Sequence, residues 1–203
     1  MNPIDTFLFD IGNVLVTFDF NIAARAYQKS STTEYDPIDI LIPLRDRLEV
    51  GEMTAEEFVA EGIERIGFQD GPERFVEIYQ AIFSPVRPIW DLVERLKGDY
   101  RLLLLSNTSD IHHEGLLRDF PIFKAFDGGI FSYLAESAKP DRAIYEQALD
   151  ELSIVPESTI YLDDLLPNIE VGKSFGFRAH CYRSDDHELC EKFLRESGVA
   201  GIS

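Results

Sequence analysis

The sequence predicts an α/β fold, a parallel sheet core interrupted after its first strand by a small helical insertion. Three observations carry that expectation. Short, wholly apolar runs recur at Phe7-Leu8-Phe9, Leu102-Leu103-Leu104-Leu105, Ile130-Phe131 and Ile160-Tyr161-Leu162, with a fifth candidate at Ala179 to Tyr182. After about residue 86 these runs alternate with helical patterns, as right-handed βαβ units require. From about Asn21 to Ser84 no run reads as a strand, and helical spacing takes over.

Taken in order, Phe7-Leu8-Phe9 has no polar face, the pattern of a parallel strand covered on both sides. Asp10 stands at its C-terminal end, where open α/β sheets place their ligands. Gly12-Asn13 then lets the chain turn sharply before Val14, Leu15 and Val16. Asp19 reads as the cap of the first inserted helix, which carries Ile22, Ala23, Ala26 and Tyr27 on one face. A second face holds Phe58, Val59, Gly62, Ile63 and Ile66, and a third holds Phe75, Val76, Ile78, Tyr79, Ile82 and Phe83. Thr54 and Glu57 form a capping box, and Pro37, Pro43 and Pro72 punctuate the remainder. Beyond the insertion, Ile89, Leu92, Val93 and Leu96 share a helical face ended by Gly98-Asp99. Ile144, Ala148, Leu149 and Leu152 share another, and Ile169, Val171, Gly172 and Phe175 precede Gly176. The expected partition is a sheet core from residues 1–18 and 85–203 with a helical segment at 19–84.

Composition bounds the function. The 203 residues are 45% hydrophobic and 12% aromatic, ordinary for a globular protein. A net charge of −18, from 19 basic against 37 acidic residues, argues against nucleic acid or an anionic membrane as partner. The same charge repels a phosphorylated substrate unless a cation and a few basic groups are placed locally. Cys181 and Cys190 fit neither a CxxC redox pair nor a zinc pattern, so two idle thiols in a reducing compartment are expected. No stretch approaches the roughly 20 apolar residues of a membrane span, and the N-terminus lacks the features of a signal peptide. The sequon Asn107-Thr108-Ser109 carries no meaning in the cytoplasmic setting these features predict.

Polar groups close three further strand-like or pre-helical stretches. Ser106-Asn107 follows Leu105, Lys139-Pro140 precedes a helix starting near Asp141, and Asp163-Asp164 follows Leu162. Singly, Ser106 or Asn107 could cap the next helix, Lys139 could be solvated, and adjacent aspartates could cap another helix at a cost in repulsion. Together, in this order, those separate explanations must all hold at once.

The stretches "FLFDIGNV", "LLLLSN", "KPDRAIY" and "IYLDD" resemble, in order, the four motifs of the haloacid dehalogenase superfamily. The resemblance runs from about residue 4 to residue 183, and the helical segment stands where that family carries its cap. The run "FDIGNVLV", with "SNT" and a later His, looks most like the helical-cap phosphatase branch that includes bacterial glucose-1-phosphatase. This resemblance implies a Rossmann-like core and a Mg²⁺-dependent phosphatase acting on a small phosphorylated metabolite, such as a sugar phosphate. It implies that Asp10 is the nucleophile, forming an aspartyl-phosphate. Mg²⁺ would lie on Asp10, Asp164 and the Gly12 carbonyl, with Asp163 acting through water. Lys139, Ser106 and the Asn107 backbone would bind the phosphoryl group.

One position departs from that pattern. The family's phosphatases carry a second Asp, a general acid, where this chain has Gly12. General acid–base assistance is worth about 10²- to 10⁴-fold, so activated or anomeric phosphates are the expected substrates unless another group shuttles the proton. His112 is the candidate shuttle, titrating near neutrality; otherwise it and His113 are polar residues at a helix start. Asn13 could polarise a water. A dehalogenase or phosphonatase also fits the missing Asp, the latter needing an amine for which Lys29 is the one Lys between Asp10 and Ser84. A non-catalytic phosphate- or metal-binding module is the remaining alternative. Arg45, Arg47 and Arg65 are expected in surface ion pairs, although they could face the site.

Overall fold

The computed structural model describes residues 3–202; residues 1, 2 and 203 of the expected core partition lie outside it. Five strands build the main sheet: β1 (Thr6–Phe9), β4 (Arg101–Ser106), β5 (Gly128–Phe131), β6 (Thr159–Asp163) and β7 (Arg178–Cys181). They lie in the order β5-β4-β1-β6-β7, and every neighbouring pair is parallel. This is the parallel α/β sheet that the apolar runs predict, in the Rossmann-like form that the resemblance implies.

The absence of a polar face on these strands has a direct cause. Alternate residues enter opposite cores. Phe7, Phe9, Leu102, Leu104, Ile160 and Leu162 pack on one side, against α5 (Arg87–Leu96) and α10 (His187–Glu196). Leu8, Leu103, Leu105 and Tyr161 pack on the other, against α8 (Arg142–Glu151) and α9 (Leu166–Phe175). Both faces are covered, so period-2 alternation is lost. The register sets Phe9 beside both Leu104 and Leu162, so Asp10, Ser106 and Asp163 leave neighbouring strands at the same edge. The Asp10 amide donates to the Leu162 carbonyl at 2.9 Å, which extends the ladder to the site itself.

Between β1 and β4 the chain leaves the sheet through β2 (Val16–Phe18) and returns through β3 (Phe83–Pro85), which pair antiparallel as a short ribbon. Four helices lie between them: α1 (Phe20–Gln28), α2 (Pro37–Glu49), α3 (Ala55–Ile66) and α4 (Gly71–Gln80). They share an aromatic core in which Tyr27 and Phe58 pack on Phe75, with ring centroids 4.8 and 5.8 Å away. Asp19 caps α1, accepting from the Asn21 amide, and the Thr54–Glu57 capping box opens α3.

Three local expectations fail. α2 runs straight through Pro43, which therefore does not punctuate; burial of Leu41, Leu44 and Leu48 on one face holds the helix despite the lost hydrogen bond. The helical pattern assigned through Phe83 stops at Gln80, and Phe83 opens β3 instead. Ser106 and Asn107 do not cap α6 (Asp110–Asp119); Ser109 does, accepting from the His112 amide. α6 ties the helical segment to the sheet core, with Ile111 packed in the helical core and its carbonyl accepting from Gln80 Nε2 at 2.8 Å. A four-residue helix, α7 (Ser132–Ala135), follows β5. Among the described residues no helix is long and apolar enough to cross a membrane.

Candidate active site

Lys139 organises the strand-end edge. Its ammonium is buried and has three acceptors: Asp163 Oδ2 at 2.6 Å, the Leu105 carbonyl at 2.8 Å and Asp10 Oδ1 at 2.9 Å. Burial opposes its charge, but Asp10 and Asp163 outweigh burial and hold its pKa above the ordinary lysine value. Asn107 clamps the backbone that carries it. The Asn107 side-chain amide donates to the Lys139 carbonyl at 2.9 Å and its oxygen accepts from the Lys139 amide at 2.8 Å. The Asn107 side chain is thereby spent on the backbone of Lys139.

Asp10 is 7% exposed. Its Oδ1 accepts from Lys139 and from the Ile11 amide at 2.7 Å, so Oδ2 has no protein hydrogen bond among the described residues. Burial raises the carboxyl to about 6; Lys139 pulls it down and Asp163 pushes it up. Ser106 is buried at the same edge, and its hydroxyl has only a 3.5 Å approach to the Asn107 carbonyl, too long to satisfy it.

The acidic pair divides its roles. Asp163 is fully buried and accepts from Lys139, from Tyr161 Oη at 2.7 Å, from the Leu165 amide at 2.9 Å and from Asn168 Nδ2 at 2.9 Å. A carboxylate so engaged anchors Lys139 and the start of α9. Asp164 is half-buried, raised by burial, and held by Asn13 Nδ2 at 3.0 Å. Asn13 adopts φ 53°, a left-handed conformation that Asn tolerates, and so positions Asp164. One carboxylate oxygen each from Asp10, Asp163 and Asp164 lies within 4.8 Å of the others. Three carboxylates against one ammonium leave excess negative charge, and hard oxygen donors at this spacing suit a Mg²⁺-like cation.

These groups open onto a pocket of about 310 Å³, shared with the helical segment. Gly12 lines it. A Cβ on Gly12 would stand 3.1 Å from Phe18 Cε1, so a side chain at that position would press on the aromatic ring. His112 also lines the pocket, but its expected titration near neutrality is not met. The ring is 4% exposed, stacks on Tyr79 at 4.1 Å, and its Nε2 lies 3.1 Å from the Tyr79 carbonyl. A carbonyl can only accept, so Nε2 carries the proton of a neutral ring. Burial lowers the pKa to about 4. A ring with that value is neutral at pH 7, and its one N–H is engaged by the Tyr79 carbonyl, so it has no imidazolium proton to deliver there.

The remaining candidates separate cleanly. His113 meets Tyr133 Oη at 3.1 Å and is not among the pocket residues. Lys29 closes α1, is exposed, and is also outside the pocket; the helical segment therefore brings no amine to the site, as the phosphonatase alternative would require. Arg47 and Arg65 meet Glu61 on the surface, as expected. Arg45 does both things expected of it, for it pairs with Asp46 and Glu49 and also lines the pocket. Sequence reasoning missed Tyr161, Asn168 and Glu49. Asn168 was findable as a polar residue five positions past Asp163 on a helix's first turn, and Glu49 as the i+4 partner of Arg45.

Comparison with known proteins finds relatives over most of the chain. A D-ribitol-5-phosphate phosphatase of Bacteroides thetaiotaomicron is 26% identical over 189 residues, covering 86% of this chain and 89% of its own. A phosphorylated carbohydrates phosphatase of Thermotoga maritima is 25% identical, covering 83% and 80%. A solved HAD family enzyme of Bacteroides thetaiotaomicron superposes with a TM-score of 0.80 at 23% identity, covering 93% of this chain and 99% of its own. The family profile of the haloacid dehalogenase-like hydrolases matches residues 4–176, a span that takes in Asp10, Ser106, Lys139 and the Asp163-Asp164 pair, and the chain belongs to that family.

Proposed function

We propose that this hydrolase is a Mg²⁺-dependent phosphatase of a small phosphorylated carbohydrate, acting through an aspartyl-phosphate on Asp10. The observation that carries this reading is the Lys139 ammonium held between Asp10 and Asp163. A buried cation fixed beside a strand-end carboxylate compensates one anion for attacking another. The names of the two curated relatives, both phosphatases of phosphorylated carbohydrates, support the substrate class.

Asp10 Oδ2 would form the new bond to phosphorus as the bond to the leaving oxygen breaks. Lys139 keeps Asp10 ionised and neutralises charge on the phosphoryl group, while the Ser106 hydroxyl and Asn107 amide donate to its oxygens. Water then attacks phosphorus, the bond to Asp10 breaks, and inorganic phosphate leaves. Asp10, Asp164 and the Gly12 carbonyl would hold Mg²⁺, which supplies positive charge to the transferring group. With Phe18 against Gly12 and His112 neutral, the leaving oxygen departs with little protein assistance.

The test is phosphate release from aryl, anomeric and primary alkyl phosphates, with Mg²⁺ and with chelator. Mg²⁺-dependent release, fastest for the activated and anomeric esters, is expected. Equal release in chelator, or halide release from haloacids in place of phosphate, overturns the reading.

A further inference from the structure

We infer that Arg45 and Glu49 form the subsite that recognises the leaving group, and that they select a neutral polyhydroxyl body: a sugar or alditol monophosphate rather than a bisphosphate or a nucleotide. The inference rests on the phosphatase reading above and deepens it. Five ionised residues line the pocket. Asp10, Lys139 and Asp164 belong to the strand-end cluster. The other two, Arg45 and Glu49, stand one turn apart on α2, where i and i+4 side chains share a face.

Their chemistry is complementary to a diol. A guanidinium only donates and a carboxylate only accepts. A hydroxyl does both, so adjacent hydroxyls can accept from Arg45 and donate to Glu49 together. Arg45 is held for this, its guanidinium 5.5 Å from the Phe20 ring centroid and 2.7 Å from Asp46 Oδ1. Glu49 Oε1 lies 3.8 Å from Arg45, too far for a hydrogen bond and close enough for charge pairing. Burial raises the Glu49 carboxyl, with Arg45 opposing. Because two carboxylates already face the one guanidinium, a second phosphate on the substrate would meet net negative charge. That excludes the bisphosphate class which a lone arginine would favour.

The neighbouring walls fit the same ligand. Phe18, Phe20, Ile82 and Phe83 supply apolar surface beside the charged pair, and the C–H faces of a carbohydrate lie on such surface. A volume of about 310 Å³ falls at the small end of ligand pockets, about 300–1,000 Å³, which suits one monosaccharide.

The experiment compares kcat/KM for two polyhydroxyl probes, a hexose 1-phosphate and a pentitol 5-phosphate, with that for cyclohexyl phosphate, which lacks hydroxyls. Wild type, Glu49→Gln, Arg45→Met and Arg45→Lys are measured with Mg²⁺. Wild type should prefer the better polyhydroxyl probe by at least about a hundredfold, since a site built for hydroxyls strands its polar groups without them. Each variant should lose at least about tenfold of that preference, chiefly in KM, with Arg45→Lys recovering part of it. A preference unchanged in Glu49→Gln, which keeps the side chain's shape, overturns the inference even if Arg45→Met melts early. So does a wild type that shows no preference, or one that turns over a hexose bisphosphate faster than either monophosphate. If wild type releases no phosphate from any probe, an aryl phosphate included, the phosphatase reading falls and takes this inference with it.

Discussion

Replacing Asp10 with Asn should abolish turnover and stabilise the protein in the same step. Asp10 is buried and its carboxyl is raised from 3.8 to about 6 even with Lys139 beside it. A raised carboxyl means that the folded state binds a proton more tightly than the unfolded chain. Stability from this group is therefore full below pH 3.8 and is lost as pH rises through about 6. A shift of roughly two units, at about 1.4 kcal/mol each, corresponds to about 3 kcal/mol. The neutral amide escapes that loss, yet its oxygen still accepts from the Ile11 amide and from Lys139, so no buried donor is stranded. For a chain of this length about 3 kcal/mol is about 6–12 °C in Tm. Thermal unfolding in chelator at pH 7.5 should thus place Asp10→Asn above wild type by that margin. The gap should shrink to about half near pH 5 and to about a fifth near pH 4, while activity stays more than about a hundredfold below wild type throughout. An Asn variant that melts below wild type at pH 7.5, or a gap that ignores pH, refutes the electrostatic account of the site.

Three further outcomes follow from the same geometry. Lys139→Met leaves Asp10 without a counter-ion and should cost about 3–5 kcal/mol, read by urea unfolding at pH 7.5, together with nearly all turnover; a small loss would mean that Lys139 is not the charge balance. Mg²⁺ should raise the Tm of wild type, and Asp164→Ala should lose both that rise and the Mg²⁺-dependent activity; an undiminished rise would move the cation elsewhere. The pH profile of kcat should show no inflection between about 6 and 7 attributable to His112, because its pKa lies at about 4, and His112→Gln should leave the profile's shape unaltered; a limb that vanishes in the variant would return His112 to proton transfer.

The sheet and the sequence positions around its functional edge were legible because both-face burial leaves a coarse signal: Phe7–Phe9, Leu102–Leu105 and Ile160–Leu162 are apolar without interruption, and each run ends on a polar residue. The helical segment was legible where an apolar face recurs, as in α3, and illegible at α2, where Pro37 and Pro43 imitate loop punctuation although one is in the first turn and the other is tolerated inside. β2 and β3 have three residues each, too few for any periodicity to register. Within the site, residue identity foretold chemistry better than partnership. Lys139 meets Asp10 from far along the chain, Asn13 meets Asp164 across 151 positions, and Tyr79 buries His112 from 33 positions away. Such contacts arise only when β1, β4 and β6 lie side by side and α4 packs on α6. The error over His112 has that origin, since nothing adjacent to it in sequence announces the aromatic stack that keeps it neutral. Phe18 against Gly12 is the same kind of fact: the sequence reveals a missing carboxylate, and only the fold reveals which ring stands beside the vacancy.

The central claim is that Asp10 carries the phosphoryl group between substrate and water. Rapid quenching of the wild-type protein during turnover of an aryl phosphate, followed by borohydride reduction, converts an aspartyl-phosphate to homoserine, which peptide mass spectrometry locates. The account predicts homoserine at position 10, dependent on Mg²⁺ and absent from Asp10→Asn. Phosphate released at the full rate with position 10 unmodified, or a modified residue found elsewhere, contradicts it.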